Sequence, residues 1–346
     1  MSPASSRELT TLAVLLGKGL ALTAAVLLTI LAVCLAVPDG NDYAEASVLK
    51  HRRLIEAPGR RIVLIGGSNL AFGVDSTIIE RKTSCPVVNM GMNGYLGVRF
   101  MLKEAEPHLR ANDIVIIALE YDSFFKSVDG TAADQLMIVK ANPRAFGYLE
   151  PHQRWEVAQA IPYVAQQKVL RLIREAKDNA LTLLLGREEQ VRTVDIENIE
   201  SLAGFTEHGD LVSHLGVKWP YLLEDGVDMS RTPRDPQVIA LLQEFTREMR
   251  ARGIDVLISY TSVIRDYYAR HEGSIEELQR SLEQSSPLVV PSPPSAFVFD
   301  EGLFFDTVYH LNAEGRKLRS ERLAQDISSY FEGSALCGPS ASVVKH

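Results

Sequence analysis

The chain has 346 residues, of which 46% are hydrophobic and 23% charged, with a formal net charge of −8. That composition fits a globular protein of one or two domains. The acidic balance speaks against nucleic-acid binding, which draws on a basic patch or stripe.

From Gly19 to Val37 no residue is charged, and the run is dense in Leu, Ala and Val. Its 19 residues suffice for a membrane span, which takes about 20 helical residues. Leu12 to Leu16 extend it beyond Lys18, whose stem can snorkel toward the headgroups. Two rival readings are a buried soluble helix and a cleaved signal peptide. The run is longer than the about 7–15 residues of a signal-peptide core, although Cys34-Leu35-Ala36 has small residues suited to cleavage. The expectation is an uncleaved signal anchor, with residues 1–37 forming a cytoplasmic tip and a transmembrane helix. Arg7 and Lys18 precede the apolar core while Asp39, Asp42 and Glu45 follow it. The positive-inside bias then places the body in the periplasm or outside the cell, against the pull of Lys50, Arg52 and Arg53.

Residues 38–60 are polar and read as a linker. Arg61 to Ile65 is a β-branched run expected to be a buried strand. Asp75 or Ser76 is placed to cap a helix reaching Lys82, and Pro86 to Asn89 reads as a second strand. Val98 to Arg110 has helical spacing, and Ile114 to Leu119 is the clearest strand. Residues 124–230 fit less regularly: Trp155 to Asn179 and Ala180 to Gln190 look helical, and Glu207 to Thr232 looks loop-like. That stretch reads as an insertion or cap over a strand–helix core. Asp235 to Arg252 is an amphipathic helix stopped by Gly253. Ile254 to Tyr260 and Leu288 to Pro291 read as strands, and Ile275 to Leu282 and Ala313 to Phe331 as helices. Strands separated by helices predict an α/β fold with a mainly parallel sheet, in which ligands gather at the carboxyl ends of strands. Cys85 and Cys337 lie outside the apolar run, and the expectation is two free or buried thiols rather than a disulfide.

The chemistry starts at Gly66-Gly67-Ser68, where the first strand ends. No Gly-Lys-Ser/Thr follows it, its glycines lack dinucleotide-fingerprint spacing, and Leu70 stands where a Gly-x-Ser-x-Gly elbow needs glycine. No cofactor is therefore expected, and no Cys/His cluster has zinc-ligand spacing, so no metal either. A serine after glycines is often just a turn residue or cap. The distant tract Asp306-Thr307-Val308-Tyr309-His310 adds a histidine with a carboxylate four residues before it, where a helical turn would bring the two together. Ser68, His310 and Asp306 are the minimum set for nucleophilic acyl chemistry. His208 and His214 read equally as cleft-lining or surface residues, Asp122 as a turn cap or a residue facing the site, Trp155 and Trp219 as packing residues, Asn312 as a helix cap and Arg316 as an exposed charge.

Three tracts together resemble the SGNH, or GDSL-like, hydrolase superfamily. Gly66 to Leu70 looks like its first block, Asn89 to Gly94 like its second, and Asp306 to Gly315 like its last. The resemblance implies a flavodoxin-like three-layer sandwich over residues 61–335, with the insertion at about 124–230 and a tail at 336–346. It also implies Ser68 as nucleophile, His310 and Asp306 as its partners, and Gly94, Asn93, Asn69 and Tyr121 as oxyanion or substrate-binding groups. Two departures stand out. The family's third-block asparagine is missing from Leu119-Glu120-Tyr121-Asp122, and the usual Asp-x-x-His is here Asp306-x-x-x-His310, so that a backbone carbonyl, Asp300 or Glu301 stands as the alternative partner of His310. Degenerate third blocks resemble membrane-anchored members such as alginate-type O-acetyltransferases and the SGNH-like protein of teichoic-acid D-alanylation. The implied function is an O-acyltransferase or acylesterase acting on a cell-surface polysaccharide or glycolipid through an acyl-serine. The implied site of action is the outer side of the inner membrane, with a membrane-bound O-acyltransferase as partner. A non-catalytic scaffold subunit and a membrane-anchored lipase or esterase are the alternatives.

Overall fold

A computed structural model describes residues 6–185, 199–331 and 336–337. The chain divides into two compact units, one of residues 1–40 with 155–191 and one of residues 41–154 with 192–346. In chain order the helices and strands are α1 (Ser6–Ala36), α2 (Ala46–Glu56), β1 (Ile62–Gly66), α3 (Ser68–Gly73), α4 (Ser76–Thr83), β2 (Val87–Asn89), α5 (Val98–Ala105) and β3 (Ile114–Ala118). Then come α6 (Ala132–Ala141), α7 (Pro151–Leu185), α8 (Pro236–Ala251), β4 (Asp255–Ile258), β5 (Val263–Ile264), α9 (Arg265–Glu283), β6 (Val298–Phe299) and α10 (Ala313–Tyr330).

In the first unit, α1 is long and apolar enough to cross a membrane, and its leucines stand exposed. It fits a single-pass anchor or a signal sequence. Its C-terminal carbonyls are not left orphaned. Lys168 of α7 donates to the carbonyls of Cys34, at 2.9 Å, and Val37, and pairs with Asp39 at 2.9 Å. A cation at this end also suits the helix dipole.

In the second unit, four parallel strands run in the order β2-β1-β3-β4. The side-chain period of two sorts the strand residues onto opposite faces. Val63, Ile65, Val115, Ile117, Val256 and Ile258 meet Leu54, Met101, Leu242, Phe245, Leu278 and Leu282 from α2, α5, α8 and α9. Ile62, Leu64, Ile114, Ile116 and Leu257 meet Ile79, Leu323 and Ile327 from α4 and α10. Both faces are covered, which is why the strands read as unbroken apolar runs. The result is the expected α/β sandwich with a parallel sheet. Asp75 caps α4 as expected, accepting the Thr77 amide at 3.0 Å, and Asp235, expected as the first helical residue, caps α8 by accepting the Gln237 amide at 2.9 Å.

Several expectations need correction. The segment read as a linker contains α2, which buries Leu54 and the polar Lys50 and His51. Lys50 is polar yet belongs inside, because its ammonium finds the carbonyls of Asn89, at 2.9 Å, and Gly209. Leu288 to Pro291 is no strand. The Leu288 amide is spent on Ser285 at 2.9 Å and Pro291 brings no donor, so the segment meets the sheet through the Val289 carbonyl, which accepts from Ile258 at 2.8 Å, without forming a ladder. The helix expected from Ile275 starts at Arg265, running through Gly273. The helical expectation for Ala180 to Gln190 holds to Leu185, and the remainder lies outside the described residues.

Cys85 and Cys337 are not free thiols. They form a disulfide, with Cα atoms 4.8 Å apart across a sequence separation of 252. Closing so long a loop restricts the unfolded chain, and loss of such a bond costs about 2–5 kcal/mol. Reduction should therefore lower the melting temperature of the wild type but not of Cys85→Ala, as differential scanning calorimetry with and without reductant would read. Equal melting of oxidised and reduced wild type would count against the bond.

Candidate active site

Ser68 is the first residue of α3, directly after β1 and the turn glycine Gly67. Its hydroxyl therefore sits at the carboxyl edge of a central strand. His310 comes from the far end of the chain, on a tight turn rather than the expected helical one. The Phe305 amide donates to the His310 carbonyl at 2.8 Å, and Phe304 pairs antiparallel with Leu311. Thr307 Oγ1 closes the turn by accepting the amides of Tyr309 and His310, both at 3.1 Å. This hairpin, not α-helical stacking, brings the side chains of Asp306 and His310 together.

The three side chains form a continuous relay. Ser68 Oγ lies 2.8 Å from His310 Nε2, and His310 Nδ1 lies 2.7 Å from Asp306 Oδ1. Phe72, one turn after Ser68, stacks flat on the imidazole with ring centroids 4.0 Å apart. Arg319 of α10 donates to the Asn69 carbonyl at 2.6 Å and so ties the nucleophile turn to the last helix. Burial opposes the charged imidazolium, but Asp306 foremost, then Glu120 and Glu200, outweigh it, and His310 is raised above its ordinary 6.5.

The other expected site residues divide. Gly94 lines the cavity at Ser68. Asn69 is fully buried, with its side-chain amide on the Ala118 carbonyl at 3.1 Å. Asn93 and Tyr121 are not brought to Ser68. The Asn93 side chain accepts from the Tyr95 amide at 2.9 Å and donates to Asp134 at 2.8 Å. Tyr121 is buried in the core, stacked 6.3 Å from Tyr260.

The remaining polar residues find defined places, and only Arg316 departs from its expected one. Arg316 is buried and pairs with Asp210 at 3.2 Å instead of facing solvent. Asp210 in turn holds Asn89 at 2.8 Å, at the start of the second tract. His208 pairs with Glu80 at 3.1 Å, and His214 Nε2 donates to, and so depends on, the Leu311 carbonyl at 3.0 Å. Asp122 faces the site, accepting from the Tyr309 hydroxyl at 2.6 Å. Asn312 caps α10, accepting the Glu314 amide at 3.1 Å.

Sequence reasoning missed two carboxylates. Glu120 Oε1 accepts from the Ser68 hydroxyl at 3.1 Å and from the Asn69 amide at 2.9 Å. Glu200, held by the Asn41 amide group at 3.1 Å, is pushed up by burial first, with His310 pulling it down and Asp306 adding to the rise. Glu120 carried one readable signal: it lies just beyond the carboxyl end of the central strand β3, where functional groups gather. Glu200 carried none. The cavity in front of Ser68 has a volume of about 140 Å³ and is lined by Gly94, Glu120, Asp122, Lys126 and His310, among others. Among the described residues no group of His, Cys, Asp and Glu is arranged to hold a metal ion.

No protein-family model matches the chain. No curated protein matches it. Among solved structures it is similar to an acetyl xylan esterase from the rumen bacterium Butyrivibrio proteoclasticus, with 9% identity and a TM-score of 0.34. The match covers 80% of this chain and 65% of that one, so the chain spans under two thirds of the esterase's length. A likeness of this size adds nothing to the reading of the site.

Proposed function

We propose that the chain is a serine-dependent O-acyltransferase or acylesterase of the SGNH-like kind, acting outside the cytoplasm on a surface glycan or glycolipid. The observation that carries this reading is the Ser68–His310–Asp306 relay, with contacts of 2.8 and 2.7 Å. In the proposed first step the Ser68 oxygen bonds to an acyl carbonyl carbon and its proton passes to His310 Nε2. Asp306 holds the Nδ1 proton and so keeps Nε2 as the acceptor. Amides of Ser68 and Gly94 are the donors for the oxyanion. The tetrahedral species collapses, the acyl–oxygen bond to the leaving alcohol breaks, and that alcohol takes the proton from His310. A sugar hydroxyl, or water, then attacks the acyl-serine, giving its proton to His310, and Ser68 recovers it as the acyl group departs.

A cavity of about 140 Å³, smaller than the roughly 300–1,000 Å³ of pockets that enclose drug-sized ligands, supports a short acyl group at Ser68. The Cys85–Cys337 disulfide supports an oxidising compartment, and α1 supports a membrane anchor. Transfer rather than hydrolysis, the polymer acceptor and a membrane-bound acyltransferase partner rest on the resemblance of the sequence blocks. The scaffold alternative draws on one observation, a carboxylate beside the nucleophile where an oxyanion would form.

A serine-directed fluorophosphonate and an acetyl ester with a glycan acceptor separate these readings. The expected result is labelling confined to the Ser68 peptide and acetylated glycan exceeding free acetate. Free acetate alone would leave the esterase. An unlabelled Ser68 across the pH range would leave the scaffold.

A further inference from the structure

Three contacts at Ser68 impose a proton count. Asp306 Oδ1 lies 2.7 Å from His310 Nδ1, so that nitrogen carries a proton and donates it. Ser68 Oγ lies 2.8 Å from His310 Nε2 and 3.1 Å from Glu120 Oε1. A serine hydroxyl has one proton to donate. If Nε2 is bare, it and the Glu120 oxygen are both acceptors competing for that proton, and one contact becomes lone pair against lone pair. All three contacts are satisfied only when the group holds one proton more than a Ser–His–Asp relay needs. Glu120 Oε1 also accepts the Asn69 amide at 2.9 Å, as a carboxylate oxygen does. The extra proton therefore falls on His310 Nε2.

The position of the carboxylate matters as much as its charge. A Cβ added at Gly94 would clash with Glu120 Oε2, and one at Gly67 would come within 2.6 Å of Oε1. Glu120 thus fills the space between the two glycines beside the nucleophile. A developing oxyanion needs that space and needs donors in it, not a carboxylate.

We propose that Glu120 is a positioning residue that holds the resting site proton-loaded, with an imidazolium donating to Ser68 and Ser68 donating to Glu120. Acylation starts once the imidazolium gives its Nε2 proton to solvent water, so that Nε2 can accept the Ser68 proton, and the carboxylate yields the oxyanion position. This rests on the reading of Ser68 as nucleophile.

The surroundings agree. Asp306, Glu120 and Glu200 are the anionic groups that favour charge on His310. His214 also faces it, pushed down to about 4 chiefly by burial, and so is neutral at physiological pH. Arg319 and Tyr43 are the further groups coupled to Glu120. Lys126, in the same cavity, is engaged with Asp122 at 2.8 Å. With His310 raised, the base form accumulates only as pH climbs past 6.5, and activity is lost as pH falls through the raised value.

Glu120→Gln removes a charge that favours the imidazolium and supplies an amide that can donate to the oxyanion. Two readouts on the full chain in detergent test it: the pH profile of single-turnover acylation by p-nitrophenyl acetate, and NMR titration of the His310 imidazole. Both midpoints should fall together by about one pH unit, giving roughly tenfold faster acylation below both limbs. Glu120→Ala should move the midpoints the same way, and thermal melts show that each variant is folded. An unmoved or rising imidazole midpoint in both variants overturns the proposal. Absence of acylation in every protein at every pH overturns the reading of Ser68 instead, and the imidazole titration then still decides whether Glu120 holds the proton.

Discussion

Ser68→Ala is expected to abolish the acyl-protein and to lower kcat by on the order of 10⁶-fold, the size seen when a serine nucleophile is removed from a working relay. The oxygen of Ser68 is 2.8 Å from the ring nitrogen of His310 not taken by Asp306, and among the described residues no other hydroxyl bonds to that nitrogen. His310→Ala should cost a similar factor, and the double variant little more than either single one, because the two side chains act as a unit. Burst kinetics with an activated acetyl ester, followed by mass spectrometry of the Ser68 peptide, read both losses. Turnover of Ser68→Ala near the wild-type rate, or acyl label retained elsewhere on that variant, would sink the assignment of the nucleophile. A lost burst with an unchanged melting temperature would tie the loss to chemistry rather than folding.

Asp113→Ala is expected to be the most damaging single change away from the site. Asp113 and Arg61 are both fully buried and joined side chain to side chain, with Arg61 Nε donating to Asp113 Oδ1 at 3.1 Å. Arg61 also donates to the carbonyls of Leu54 and His108, and Asp113 accepts the Arg110 amide at 2.8 Å. Cutting the carboxylate leaves a guanidinium in the interior without its counter-charge. Breaking a buried pair in that way costs about 3–5 kcal/mol, a large part of the 5–15 kcal/mol that holds a typical fold together. Urea denaturation should show the midpoint falling with little change in slope. The pair lies just before β1 and β3 begin, at the end of the strands opposite Ser68. Activity per folded molecule should therefore be retained. A midpoint shift worth under about 1 kcal/mol would show that the pair is offset by its desolvation.

What was legible and what was not follows the range of the forces involved. The strands at Ile62–Gly66 and Ile114–Ala118 were readable because a sheet covered on both faces demands unbroken apolar runs. The caps at Asp75 and Asn312 were readable because a cap acts on an amide two or three residues away. The pairing of Asp306 with His310 could be read from spacing, but its means could not. The hairpin depends on Phe304 meeting Leu311 and on Thr307 turning inward. Arg316 looked like an exposed charge because hydropathy alone sends charges outward, and Lys50 lay in a stretch read as a polar linker. Their burial depends on partners 39 to 159 positions away. Cys85 and Cys337 are a bond only because α4, β2 and the chain after α10 converge.

Local pattern was enough for the alternation of strands and helices, the apolar N-terminal helix, and a serine held at the end of a strand. Each of these follows from side chains acting on their own backbone or on the nearest turn. Long-range packing alone brings Ser68 and His310, 242 residues apart, within hydrogen-bond distance and sets Glu120 on the other side of the same oxygen. That arrangement is fixed by β1 pairing with β3, by Phe72 stacking on the imidazole, and by Arg319 tying α10 to the nucleophile turn. Contacts between distant segments are chosen by packing of the whole core, and a local pattern carries no record of which partners that packing will bring together.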